Sequence, residues 1–229
     1  MNRIAVITGG GRGIGRATAL AFARRGLDLA LYGRVAGDLE AVAEQARAEG
    51  VRVLAVECDV SSGAAVDEAA ARVLRELGVP HVLVNNAGIV HRAPVEDTTE
   101  QAWDHVVAVN LKGPFLVSRS FLAAMREQDA GRIVHVSSIS ATLGTPKLSA
   151  YCASKWGLVG FMKALAEELR GTSVQTMAVL PGSVDTAMLR GSGFAPQMTA
   201  DDVAATIVWT ALDAPAALHG ATVPIFGAG

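Results

Sequence analysis

Cysteine is nearly absent from this chain: Cys58 and Cys152 are the only two. That is too few for a disulfide framework, and it fits a reducing compartment, so a cytoplasmic location is expected. Charge is also scarce, at 18% of residues, and close to balanced at a formal −2. No basic field is offered to nucleic acid or to an anionic membrane, and neither is expected as a partner. No continuous apolar run reaches the roughly 18 residues of a membrane span. The opening residues lead straight into a short apolar run, without the charged, apolar and cleavage segments of a secretory leader. The five histidines, His81, His91, His105, His135 and His219, show no ligand spacing, so no metal site is expected.

What the chain does have is apolar residues, 51% of its 229, and glycine, 24 residues clustered after short strand-like runs. The strand candidates are 4–8, 29–32, 51–56, 81–84, 132–137, 173–179 and 221–225, alternating with helical stretches at 13–25, 37–49, 64–77, 99–127, 150–170 and 200–212. Strands apolar on both faces, each followed by a helix, predict one α/β domain with a doubly wound parallel sheet of seven strands. Such sheets bind ligands beyond the carboxyl ends of their strands. The chemically interesting residues do fall just after the strands.

Gly9, Gly11, Arg12, Gly13, Ile14 and Gly15 follow the first strand and open the first helix. Glycines there allow a tight turn and a close approach to a pyrophosphate, which the helix N-terminus also favours. The spacing is G-x-x-x-G-x-G, at Gly9, Gly13 and Gly15. A phosphate-transfer loop is nearly spelled out, but Arg16 and Ala17 stand where it needs Lys and Ser or Thr. At the end of the second strand, where a dinucleotide fold that takes NAD carries an acid for the ribose 2′-hydroxyl, this chain has Gly33 and then Arg34. Arg34, with Arg12, is suited to a 2′-phosphate, which predicts NADP(H). The plainer reading of Arg34 is a solvated loop charge, and of Asp38 a helix-start residue.

Tyr151 and Lys155 sit one helical turn apart, which puts a phenol and an ammonium on one face. A nearby cation eases proton transfer at a phenol. Taken alone, such a spacing is most often solvated helix surface. Its company changes that. Asp59 and Val60 follow the third strand, Asn86, Ala87 and Gly88 the fourth, Ser137 and Ser138 the fifth, and Pro181, Gly182, Val184 and Thr186 the sixth, while Asn110 lies within the long helix at 99–127.

With these motifs in this order, the chain resembles the short-chain dehydrogenase/reductase family over nearly its whole length, including members such as the 3-oxoacyl-carrier-protein reductases. The resemblance implies a single Rossmann-type domain and a homo-oligomer, tetramer or dimer. It implies that Asn110, Ser138, Tyr151 and Lys155 are catalytic. Tyr151 would be the acid in reduction, Lys155 would lower its pKa and hold the nicotinamide ribose, Ser138 would hold the substrate oxygen, and Asn110 a water. The glycine turn, Arg34, Asp59, Val60, Asn86, Ala87, Gly88, Tyr151, Lys155, Pro181, Gly182, Val184 and Thr186 would bind the cofactor. Substrate contacts are expected from Ser138, Tyr151, His91 and Met188, under a short lid at about 187–200. The expected activity is NADP(H)-dependent reduction of a small-molecule carbonyl, with 3-oxoacyl thioesters as one candidate. Secondary-alcohol oxidation and a non-catalytic NADP-binding sensor are the alternatives. Gly11 stands where many NADP-using members have Ser or Thr, and His135 where Asn is common. Trp103 and Trp156 read as helix packing or subunit interface, and Cys152 as helix packing.

Overall fold

In a computed structural model, residues 3–227 are described. The first two residues, part of the opening read for a leader, and the last two, part of the C-terminal tail, lie outside the described residues. The strands are β1 (Ile4–Thr8), β2 (Asp28–Gly33), β3 (Val53–Glu57), β4 (Val82–Asn85), β5 (Gly131–Val136), β6 (Val174–Pro181) and β7 (Thr222–Ile225). The helices are α1 (Gly13–Arg24), α2 (Ala36–Arg47), α3 (Gly63–Glu76), α4 (Glu100–Val107), α5 (Gly113–Glu127), α6 (Ser149–Glu168) and α7 (Ala200–Leu212). The seven strands form one sheet in the order β3-β2-β1-β4-β5-β6-β7, and every neighbouring pair is parallel. This is a single Rossmann-type domain.

The two-sided apolar strands are explained by two separate cores. Successive strand side chains point to opposite faces. Ala5, Ile7, Leu29, Leu31, Val82 and Val84 therefore meet α1, α2 and α7 through Phe22, Leu39 and Ile207. Val6, Ala30, Leu83 and Ile133 face the other way, onto α3, α5 and α6 through Val73, Phe121 and Leu165. The chain winds outward from β1 to β3 and then returns to place β4 on the other side of β1. That reversal opens a crevice at the carboxyl ends of β1 and β4, after Thr8 and Asn85.

Most expected boundaries move by one or two residues, and four changes stand out. β3 begins two residues later than read and ends at Glu57, β4 runs one residue further to Asn85, and β6 extends through Pro181. Pro181 is accommodated because it lies at the strand's end, where β7 is its paired neighbour and ladder bonds are ending. The fourth change matters more. The helix read as continuous over 99–127 is interrupted by a π-helical turn at Ala108–Lys112, between α4 and α5. Pro114 has no N–H to return to the carbonyl of Asn110, so the α-type bond there cannot form. The wider turn carries Asn110 inward, where it is fully buried.

By length and composition the stretch Glu100–Glu127 is apolar enough to cross a membrane, with a mean hydropathy of 1.2 in its most apolar window; half of that window is buried inside the domain. Its inner residues Leu116, Val117 and Phe121 belong to the second core, the arrangement of a core helix.

Candidate active site

The glycine turn is built around its backbone. A Cβ added at Gly15 would lie 2.0 Å from the Gly9 carbonyl oxygen and 2.7 Å from Asn86 Nδ2. No side chain fits there, so the first turn of α1 presses directly on the end of β1. Asn86 holds the other side. Its Nδ2 donates to the Thr8 carbonyl at 2.9 Å and to the Gly9 carbonyl at 3.3 Å. Thr8 Oγ1 in turn accepts from the backbone N–H groups of Asn86 and Ala87, both at 3.0 Å. The side chain of Asn86 thus braces the turn and leaves the backbone facing the crevice. Thr8 is a functional residue that the sequence reading missed. The only available signal was a hydroxyl residue immediately before the glycines.

The remaining residues expected to bind a dinucleotide ring this crevice. Thr186 reaches across from the segment after β6: a Cβ at Gly13 would meet its Cγ2 at 3.4 Å. Arg12, the N-cap of α1, makes no capping bond. Gly11 packs against α2, where an added Cβ would meet Asp38 Cβ at 2.9 Å. Asp38 thereby occupies the space that a Ser or Thr at 11 would need. Arg34 is exposed beyond β2. The Asp59 carboxyl is held below its usual range, chiefly by the hydrogen bonds from Ser61, with the charges of Arg34 and His105 acting in the same direction. The Ser61 N–H and Oγ donate to Asp59 Oδ1 at 2.9 and 2.7 Å. Val60 is buried beside Gly113. Gly182 N donates to Ile225 O at 2.9 Å, and Val184 bridges to Met198, which closes the base of the lid. Gly9, Gly13 and Gly88 present bare backbone at the carboxyl ends of β1 and β4, which suits the close approach of a dinucleotide.

Ser138, Tyr151, Lys155 and Asn110 come together on the β4–β5 side. Tyr151 lies in the first turn of α6 and shares a hydrogen bond with Ser138. Burial pushes the Tyr151 phenol pKa up; the Ser138 hydrogen bond and the charge of Arg92 oppose that rise. The expected influence of Lys155 is not among these causes. Lys155 Nζ donates instead to the Val136 carbonyl at 2.9 Å and stands 5.7 Å from the Tyr151 ring centre. Lys155 is only 4% exposed, and burial brings its ammonium down to about 8. An ammonium has three donors and one is used here. The others lie beside open backbone, since a Cβ at Gly88 would come 3.6 Å from Nζ and 3.4 Å from Asn110 Oδ1.

Asn110 is fixed by three bonds. Its Oδ1 accepts from Ile89 N at 2.8 Å, and its Nδ2 donates to Ile89 O at 2.9 Å and to Ser154 Oγ at 3.1 Å. Ser154 Oγ donates onward to the Tyr151 carbonyl at 2.7 Å. The π turn, the loop after β4 and the start of α6 are therefore locked into one unit. Ser137 does not share the site of Ser138: its Oγ donates to the Lys155 carbonyl at 3.1 Å, holding α6 against β5.

His135 is fully buried, and burial together with Lys155 pushes its imidazole down to about 3. It meets Asn85 Nδ2 at 3.3 Å and the edge of Phe161, a structural placement behind the site. His91 and Met188 flank the opening on separate segments, and Arg92 links them: its Nη2 donates to the Met188 carbonyl at 2.7 Å. Among the described residues no group of three or more His, Cys, Asp or Glu is placed to hold a metal.

Comparison with known proteins bears on the same geometry. The family profile described as short chain dehydrogenase matches residues 3–195. D-threitol dehydrogenase of Mycolicibacterium smegmatis is 35% identical over 98% of this chain and 92% of its own. The 3-oxoacyl-[acyl-carrier-protein] reductase of Staphylococcus epidermidis is 33% identical over 99% of this chain and 98% of its own. Among solved structures, levodione reductase superposes with a TM-score of 0.92 at 30% identity, covering 97% of this chain and 95% of that one. With the glycine turn, the Asn110 brace and the Tyr151–Lys155 face all on one crevice of one sheet, the chain belongs to the short-chain dehydrogenase family and is an NAD(P)-dependent oxidoreductase.

Proposed function

We propose that this protein reduces a ketone to a secondary alcohol with NADPH. The observation that carries the reading is the cluster at the mouth of the crevice. Tyr151 is hydrogen-bonded to Ser138, the buried ammonium of Lys155 stands 5.7 Å from the Tyr151 ring centre, and Lys155 and Asn110 border the bare backbone of Gly88. The nicotinamide, when bound, supplies the hydride. The chain's own residues do the rest. The neighbouring hydroxyls of Ser138 and Tyr151 bind the carbonyl oxygen and stabilise the negative charge that grows there. Tyr151 delivers the proton as a general acid. Lys155, with donors to spare, would hold the ribose hydroxyls of the bound cofactor. Asn110, its side chain braced by Ile89 and Ser154, would hold the water that returns the proton.

NADPH over NADH is supported by Arg34 and Arg12 at the adenine-ribose end and by the absence of an acid at Gly33. The similarity to D-threitol dehydrogenase favours alcohol oxidation on the same machinery, and the similarity to the 3-oxoacyl reductase favours reduction. A non-catalytic sensor would have no need for all four of Asn110, Ser138, Tyr151 and Lys155. Apolar residues left exposed on the α5–α6 side, Phe115 at 42% and Trp156 at 53%, support the homo-oligomer.

Tyr151→Phe keeps the ring and removes the acid. The expected result is a loss of kcat of more than about 100-fold with NADPH affinity unchanged, the range set by removal of a general acid. Near-normal turnover by this variant, measured as NADPH absorbance loss over a panel of ketones, would defeat the mechanism.

A further inference from the structure

The loop that follows Gly88 is tied on three sides. Ile89 is clasped by Asn110. The Ala93 N–H donates to the Lys147 carbonyl at 3.1 Å, on the segment that leads into Tyr151. Between them the exposed Arg92 reaches over the opening to the lid and donates from Nη2 to the Met188 carbonyl, across 96 residues of sequence. Arg92 therefore spans the entrance through which a substrate comes to Tyr151.

Two further observations mark it. Seven arginines form ion pairs, Arg24, Arg25, Arg47, Arg52, Arg72, Arg119 and Arg170; Arg92 has no carboxylate partner among the described residues. Its charge is also close enough to favour the ionised form of Tyr151. A guanidinium carries five donors in a planar fork, and the Met188 bond uses one of its N–H groups. An ordinary solvated arginine would hold its charge in bulk water. This one is held to the lid backbone, with its charge within reach of Tyr151 and most of its fork unspent. Lys147 and Arg190, exposed on the two flanking segments, add charge of the same sign, with Asp185 the acid at the base of the lid.

We propose that Arg92 is a specificity-determining residue: the substrate handled at Tyr151 and Ser138 carries an oxyanion, a carboxylate or phosphate, a few bonds from its carbonyl, and this group pairs with the Arg92 guanidinium. The inference rests on the carbonyl-reductase reading. A planar fork matches an oxyanion in bidentate fashion. Because Arg92 already holds the lid backbone, the same residue would keep the lid over the bound anion. A neutral ketone has no group to pair with it.

The test uses the intact protein with NADPH and matched pairs: acetoacetate, levulinate and 5-oxohexanoate against their methyl esters, and dihydroxyacetone phosphate against dihydroxyacetone. The wild type is expected to prefer at least one anionic member over its neutral partner by about tenfold or more in kcat/KM, the lower end of what a hydrogen bond to a charged group contributes. Which pair shows the preference separates carboxylate from phosphate. Arg92→Ala is expected to remove that preference by raising KM for the anion about tenfold, with kcat within about threefold and the neutral partner within about twofold. Arg92→Lys should restore part of it. Added salt should raise KM for the anion alone.

A wild type that turns over ketones without favouring any anion overturns the inference and leaves the reductase reading standing. So does an Arg92→Ala variant that loses both members of a pair equally, since that is a lid fault. Failure of the wild type to reduce any ketone defeats the reductase reading, and the inference with it.

Discussion

The β1–α1 turn and the lid between β6 and α7 meet across the crevice, where Gly13 faces Thr186, and they use glycine in opposite ways. At Gly15 an added Cβ would strike the Gly9 carbonyl at 2.0 Å. At Gly191, with φ of 73°, it would meet nothing within 4 Å. One glycine is required because two pieces of backbone occupy the same place. The other only serves the conformation of a loop exposed to water. The base of the lid is fixed, through the Val184–Met198 bridge and the capping box of Thr199 and Asp202. Its tip is not: Phe194 is 56% exposed. The cofactor wall is thus closely packed around its glycines, while the lid opposite it is loosely packed at its tip.

Gly15→Ala attacks the rigid wall most directly. Relief of the clash requires the start of α1 to move off β1, and overpacking of this kind costs about 1–3 kcal/mol or more. Dinucleotide affinity is expected to fall by about 100-fold, the upper end of that cost. Titration calorimetry would measure it, with far-UV circular dichroism confirming that the helices are retained. Unchanged affinity would mean that the two walls do not differ in the way the contacts indicate.

Arg34→Asp is the next largest effect. It leaves the glycine backbone alone and changes only the charge at the adenine-ribose end. NADPH should bind about tenfold more weakly or worse, as expected from loss of a charge-assisted pair and its replacement by a like charge, while NADH is spared. Equal losses for both cofactors would make Arg34 a structural residue of the loop after β2. No loss for either would remove it from the site.

Much of the rigid wall was legible in the sequence, because its requirements are local. Gly9, Gly13 and Gly15 are spaced by the turn itself, and Tyr151 and Lys155 by one turn of α6. What was not legible depends on elements that meet only in the folded chain. Asn86 reads as a cofactor residue, yet its side chain is spent on Thr8 and Gly9, 78 and 77 residues away. The π turn around Asn110 has a local cause in Pro114, but helical periodicity runs through 99–127 and masks it. Arg92 is silent in sequence, since nothing near it shows that Met188 will lie within 2.7 Å. The segment 187–197 gave little because few side chains there are held by anything.

The smallest effect tests that last point. Gly191→Ala and Gly193→Ala place a side chain at φ of 73° and 81° with open space around both. A left-handed residue with a Cβ costs about 1 kcal/mol if the conformation is kept. For a domain of this size that lowers Tm by about 3 °C, and less if the loop relaxes. KM for a substrate should stay within about twofold, because neither position touches the crevice wall. A large rise in KM from either variant, without loss of Tm, would show that the lid tip takes one defined conformation over the substrate. The contrast between a rigid cofactor wall and a loose substrate wall would then hold only for the free protein.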